Sequence, residues 1–220
     1  MHVTRLTAAA AAVTLPLVLS ACGSVDPAAS APVTELVNAP DGFSATKDGT
    51  ELSFGDSAQV VTTNYATGAP AYWEVTVHPP QPLTVREVAG NLGRDPQRIG
   101  SAPAEPIKQF TCFRVTFTSL GTGLSSRDAP VSVELPRLTP IDAAGAEANY
   151  VGAGAQHYCG IDGNVPAYTA DMRQGEKYTT AVVTWEGVRD PGVVGTAVEL
   201  TAELSPRNPG QPSQRLVWSQ

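Results

Sequence analysis

The sequence predicts an all-β protein, two antiparallel sheets packed face to face with at most one short helix. Three observations carry this. Apolar residues recur at every second position in several stretches after residue 48. Glycine and proline are abundant, 20 and 19 of 220 residues, and separate those stretches. Charged residues are only 16% and aromatic residues 6%, a mix that suits a turn-rich β protein better than a helical bundle.

The strands follow one by one. In Tyr72–His78, Trp73, Val75 and Val77 share one face and Glu74, Thr76 and His78 the other. Phe113, Val115 and Phe117 alternate with Arg114 and Thr116, and Val131, Val133 and Leu135 with Ser132 and Glu134. Ala181, Val183 and Trp185 alternate with Val182, Thr184 and Glu186. Val198, Leu200, Ala202 and Leu204 alternate with Glu199, Thr201 and Glu203. A period of two marks strands with one buried and one wet face. Shorter candidates are Glu51–Phe54, Ala58–Thr62 and Arg215–Trp218. One stretch reads two ways. Thr84-Val85-Arg86-Glu87 fits a capping box with Leu83 and Val88 as a hydrophobic staple, which predicts a short helix ending near Gly90. Val85 and Val88 equally favour a strand.

The first residues form an export signal. Arg5 precedes an apolar run, Leu6–Leu19, that ends in small residues. It is shorter than the about 20 apolar residues a membrane-spanning helix needs. Leu19-Ser20-Ala21-Cys22 resembles the lipobox of bacterial lipoproteins. That resemblance implies cleavage before Cys22, diacylation of its thiol and anchoring to the outer face of the cytoplasmic membrane. Two acyl chains suffice for stable anchoring, each CH2 contributing roughly 0.8 kcal/mol. Residues 22–47, small, polar and Pro-containing, read as a tether with a span on the order of 25–30 Å. The sandwich domain is expected over residues 48–220.

Net charge is −7. Cleavage removes one basic residue, Arg5, and no acidic one, leaving −8. Such a surface argues against nucleic acid and against tight contact with anionic headgroups. With Cys22 acylated, Cys112 and Cys159 remain. In an oxidising compartment such a pair is expected to form a disulfide, worth roughly 4 kcal/mol in the chain-entropy model. Two free thiols or a metal site are the alternatives, and His157-Tyr158-Cys159 is at most half a ligand set. The register says more. Cys112 lies on the strand face opposite Phe113 and Val115, so the bridge should pin the Gly/Ala-rich residues 142–160 across the outside of a sheet or to its edge.

Taken together, Gly49-Thr50-Glu51-Leu52-Ser53-Phe54-Gly55-Asp56, Trp73–Val77, Phe113–Phe117, Met172-Arg173-Gln174-Gly175-Glu176-Lys177 and Ala181–Glu186 stand in a familiar order. It resembles the telokin-like, immunoglobulin-like domain of unknown function found in lipoproteins of Gram-positive bacteria, in which a Gly-Glu turn precedes a closing strand. The resemblance covers residues 48–220. It implies an immunoglobulin-like sandwich and brings no catalytic residues. The composition also looks actinobacterial. The length, beyond the roughly 100 residues of one immunoglobulin domain, and the Cys112/Cys159 pair depart from the pattern.

No catalytic set, cofactor site or metal site is expected. After processing the histidines are His78 and His157, and only Met172 is left of the methionines. No Gly-x-Ser-x-Gly, Ser-x-x-Lys or His-Glu-x-x-His occurs. Gly121-Thr122-Gly123, Gly152-Ala153-Gly154 and Asp162-Gly163-Asn164 read as turns rather than phosphate or calcium loops. Tyr150, His157, Tyr158 and Tyr168 fall in or beside the pinned segment. They either form a binding surface or cover a sheet. The resulting expectation is a non-enzymatic binding or accessory module, tethered outside the membrane, with an envelope protein or glycan as partner. A carrier of a small hydrophobic or lipid ligand is the alternative. A hydrolase using paired carboxylates comes third.

Overall fold

The period-two stretches form nine strands in two sheets among the described residues. The computed structural model describes residues 39–63, 70–99, 106–122, 135–162, 173–202 and 214–220. Cys22, Gly123, Val131, Val133, Gly163, Asn164, Tyr168, Met172 and Leu204 lie outside them.

The first sheet runs in the order β1 (Glu51–Ser53), β9 (Gln214–Ser219), β8 (Ala197–Ala202), β6 (Arg137–Ile141). Its β1–β9 pair is parallel and its other pairs antiparallel. In the second sheet, β2 (Ser57–Thr63) pairs with β3 (Pro70–Val77), β3 with the sixteen-residue β5 (Ile107–Thr122), and β5 with β7 (Lys177–Gly187). The short β4 (Gln81–Leu83) continues β3 along the same edge of β5. Pro79 and Pro80 explain the break between them, since proline has no N–H to give the ladder. His78 N–H still donates to Arg114 O at 2.9 Å.

The fold is an immunoglobulin-like β-sandwich. Strands β5 and β7 are neighbours in one sheet, and β6, β8 and β9 lie side by side in the other. In chain order they match strands B, C, E, F and G of that architecture, with β3/β4 beside β5 in the place of A.

Alternation along the strands fills the interior. Trp73, Val75 and Val77 meet Phe113, Val115 and Phe117 from one sheet and Val198, Leu200, Leu216 and Trp218 from the other, all fully buried. Of the expected strand at 131–135, Leu135 is described and packs partly buried against this core.

Strand β7 departs from simple alternation, because residues 181–184 are buried in succession. Val182 points into the sandwich, while Ala181, Val183 and the partly buried Trp185 belong to a second apolar cluster with Leu83, Val88, Phe110 and the two cysteines. That cluster lies on the outer side of the second sheet, where helical segments cover it. The capping-box stretch is helical, α1 (Val85–Leu92), and the strand alternative does not hold. Thr84 Oγ1 accepts from Glu87 N–H at 3.2 Å and Glu87 Oε2 accepts from Thr84 N–H at 2.7 Å. That backbone bond holds the Glu87 carboxyl below its ordinary range. Leu83 and Val88, the staple, are buried. The helix passes Gly90 and stops at Gly93, whose φ of 60° favours a residue without a side chain. Where at most one short helix was expected there is also a single turn, α2 (Ala155–Tyr158), and a 3-10 turn at Pro96–Arg98. The α2 turn exists because the disulfide and the apolar residues around it give a four-residue helix a surface to pack on; alone it would not form.

Residues 40–47, assigned to the tether by composition, are bonded to the sandwich. Thr46 N–H donates to Gln59 O at 2.9 Å, Ser44 N–H donates to Gln59 Oε1 at 2.7 Å, and Gly49 N–H donates to Arg215 O at 2.9 Å. This strap crosses from β2 to β9. Gln214 seals the crossing from inside. Its side chain is 3% exposed; its Oε1 accepts from Val61 N–H at 2.9 Å and its Nε2 donates to Thr46 O at 2.7 Å and Gln59 O at 3.1 Å. A buried amide with both ends paired ties one sheet to the other without an orphaned polar group.

The strap also buries Tyr72, on whose ring Phe43 packs edge-on at 4.8 Å. Burial pushes the Tyr72 phenol up to about 12. In the unfolded chain it ionises near its ordinary 10, so between pH 10 and 12 the unfolded state has lost a proton that the folded state keeps. Stability is therefore expected to fall as pH rises through that window, and the fall should be smaller in Tyr72→Phe. Urea titrations at pH 9 and 11 check this; equal losses in both proteins would refute it.

Candidate functional site

The disulfide is where the register placed it. Cys112 and Cys159 are bonded, with Cα atoms 6.0 Å apart, both buried on the outer side of the second sheet. Arg114, two residues along β5, donates from its guanidinium to Cys159 O at 2.9 Å. Asn91 Nδ2 of α1 donates to Tyr158 O at 2.8 Å. The chain around Cys159 is thus held by a covalent bond, a cation at the end of α2 and a side-chain amide.

The described residues among the four expected either to form a binding surface or to cover a sheet differ in their surroundings. Tyr158 turns inward, its ring edge-on to Phe110 at 5.6 Å, and belongs to the layer that covers the sheet. His157 is half-buried, with Nε2 3.5 Å from Gln156 Nε2. Tyr168 lies outside the described residues. Tyr150 alone among the described three is open, 51% exposed.

What fixes Tyr150 is backbone pairing that alternation does not announce. Tyr150 bridges Thr184, and Val151 N–H donates to Val183 O at 2.9 Å, so residues 149–151 line the edge of β7 around Val183 and Thr184, on the side away from β5. A covered edge cannot recruit another strand. Asn149 joins this segment to the loop after β7. Its N–H donates to Val193 O at 2.8 Å, and its Nδ2 donates to Pro191 O at 3.0 Å and Trp185 O at 3.3 Å. Its carbonyl accepts from the buried Thr184 Oγ1 at 2.6 Å, and Thr184 Oγ1 accepts from Gly195 N–H at 3.2 Å. Gly192, at φ 61°, is needed here, because a side chain would run into the Asn149 amide.

Tyr150, Val188 and Val193, the exposed large apolar residues among those described, lie on the two segments that Asn149 and Thr184 join. Sequence reading found Tyr150 and missed the rest. Val188-Arg189-Asp190-Pro191-Gly192 reads as an ordinary turn, and nothing local says that it returns to Asn149.

Next to these segments an open groove of about 870 Å³ runs along the outer face of the first sheet and reaches Pro80 and Thr111 of the second. Ile141, Val194 and Val217 supply apolar lining, and Glu51, Asp142 and Arg215 polar lining. One wall is the loop after β6, closed by Asp142, whose Oδ1 accepts from Ala144 and Ala146 N–H, each at 2.8 Å. Within the face Arg215 Nε donates to Glu199 Oε2 at 2.7 Å, and that carboxylate raises the guanidinium pKa. The groove mixes apolar contact with a few charges, which suits recognition of a surface. Among the described residues no cluster of His, Cys, Asp and Glu could hold a metal ion, and no helix is long and apolar enough to cross a membrane. Compared with known proteins, the chain matches no family model, no curated protein and no solved structure.

Proposed function

We propose that the chain is an exported bacterial lipoprotein, held outside the cytoplasmic membrane by lipid on Cys22, whose sandwich binds an envelope protein without catalysis. The observation that carries the binding part is that Tyr150, Val188 and Val193, all exposed, sit on two segments joined at Asn149. Large exposed apolar side chains scattered singly mean little, but a group on one rigid support is how protein-binding surfaces are built. The adjoining groove supplies charges around that apolar centre, as a polar rim does. The export part rests on the lipobox sequence and is supported by the buried Cys112–Cys159 bond, which belongs to an oxidising compartment. A lipid carrier would want an enclosed apolar cavity. The groove is open and partly charged, which favours the binding module over the carrier.

The test has two arms. Palmitate labelling of the parent chain and of Cys22→Ser is expected to mark only the parent. Crosslinked envelope extracts are expected to give one enriched membrane protein with the parent and several-fold less of it with Tyr150→Ala plus Val193→Asp. Equal labelling would end the export reading. An unchanged partner in a folded double variant would end the docking reading.

A further inference from the structure

The strap, residues 40–49, crosses the sandwich without joining its interior. None of its residues is buried, and none belongs to either apolar cluster. What it holds is the outer edge of β2. Gln59 N–H donates to Thr46 Oγ1 at 2.9 Å, and Gln59 O accepts from Thr46 N–H at 2.9 Å. Gln59 Oε1 takes Ser44 N–H at 2.7 Å. Two residues along, Val61 N–H is closed by Gln214 Oε1, and Gln214 in turn holds Thr46 O.

The edge beneath has no defence of its own. Sheet edges are kept from pairing with other chains by charge, proline, bulges or shortness. Strand β2 runs seven residues in unbroken register with β3. It ends in the β-branched run Val60-Val61-Thr62-Thr63, and no Asp, Glu, Lys or Arg stands between Asp56 and Glu74. Edges of the first sheet differ. In the three-residue β1, Ser53 N–H is taken by Asp56 Oδ2 at 2.9 Å. Strand β6 carries Arg137 and Pro140, and Pro140 O accepts from Ala148 N–H at 2.9 Å.

We propose that the strap is a gate: it opens while the sandwich stays folded, and the uncovered edge of β2 pairs antiparallel with β2 of a second copy of this chain. Local opening costs least where few buried contacts must break, and here those are the bonds to Gln59 and Gln214 and the Phe43 ring on Tyr72. Opening leaves Gln59 N–H and C=O without partners on a β-prone, uncharged edge. A second β2 supplies both partners. Pairing about a two-fold axis uses the same edge on both copies, so it closes as a dimer and leaves no edge to propagate.

Two measurements test this. In native-state hydrogen exchange of the full chain, the amides of Thr46 and Gln59 should exchange roughly tenfold or more faster than those of Val115 and Leu200. Sedimentation in density-matched detergent reads the pairing. The parent is expected as a monomer. Phe43→Ala with Thr46→Pro removes the ring contact and both Thr46 bonds to Gln59, and should give a folded chain whose dimer share rises with concentration. Adding Val61→Lys, which puts like charges on the two paired edges, should return it to monomer. Exchange of the strap amides only on global unfolding overturns the gate, as does loss of the fold in the double variant, since the strap would then support the sandwich. A folded double variant that stays monomeric, or a dimer that survives Val61→Lys, overturns the pairing. Neither measurement involves the Tyr150 surface, so docking there holds or fails separately.

Discussion

Trp73→Ala is expected to cost about 3–5 kcal/mol of unfolding free energy, the usual range for removing a large buried aromatic side chain. Trp73 is fully buried at the centre of the sandwich, edge-on to Phe117 at 5.8 Å and to Tyr178 at 6.5 Å. Its neighbours sit on strands paired along their length and cannot collapse far into the space left behind. The indole N–H also donates to Thr62 Oγ1, itself buried, at 2.9 Å, so the loss goes beyond apolar contact. Trp73→Phe separates the two contributions. It keeps a ring in the core and removes the donor, for an expected cost of about 1–3 kcal/mol. Urea unfolding monitored by far-ultraviolet circular dichroism reads both variants. Trp73→Ala should bring the melting temperature down by on the order of 10 °C. A change under 1 kcal/mol in Trp73→Ala would mean that the interior is not packed around this residue.

Removing the disulfide by Cys112→Ala with Cys159→Ala is expected to cost about 4 kcal/mol, because the bond closes a loop of 47 residues in the unfolded chain. The location of the loss is the sharper expectation. The bridge joins β5 to a layer whose other polar ties to the second sheet are few among the described residues: Arg114 to Cys159 O and the pairing of residues 149–151 with β7, while Asn91 to Tyr158 O ties α1 to α2 within the layer. The two sheets have their own core and their own ladders. Hydrogen exchange should therefore show early loss of protection over residues 151–161 and in α1, with β3, β5 and β8 protected until global unfolding. Uniform loss of protection would contradict a layered molecule. The same variant bears on binding, since Tyr150 lies just before the pinned stretch and depends on Asn149 and Thr184 rather than on the bridge. Its position should outlast the disulfide.

The strands that alternation reveals most plainly, at Trp73–Val77, Phe113–Phe117 and Val198–Ala202, are those with one face on the interior, because burial on one side imposes a period of two. The capping box at Thr84 and the outward direction of Cys112 were legible for the same reason: each depends on residues a few positions apart. Strand β7 was legible as a strand and misleading as to its faces, because Ala181 and Val183 are apolar on account of a second layer that alternation cannot foresee. Tyr158 and Tyr150, eight residues apart and alike in type, were read together, as a binding surface or as cover for a sheet. Their environments separate them, since the Phe110 ring offers Tyr158 a partner and the β7 edge turns Tyr150 away.

The sequence by itself determined the strand periodicity and the side of the sheet on which Cys112 lies, because local sterics and a two-residue repeat act within a few bonds; at Thr84 it offered a capping box beside a strand reading, and the helix is what the structure shows. Tertiary structure alone decided the pairing of β1 with β9, the Gln214 tie between sheets and the Asn149 junction. Each of these joins residues tens of positions apart, and only the closed sandwich brings their hydrogen-bonding groups within reach.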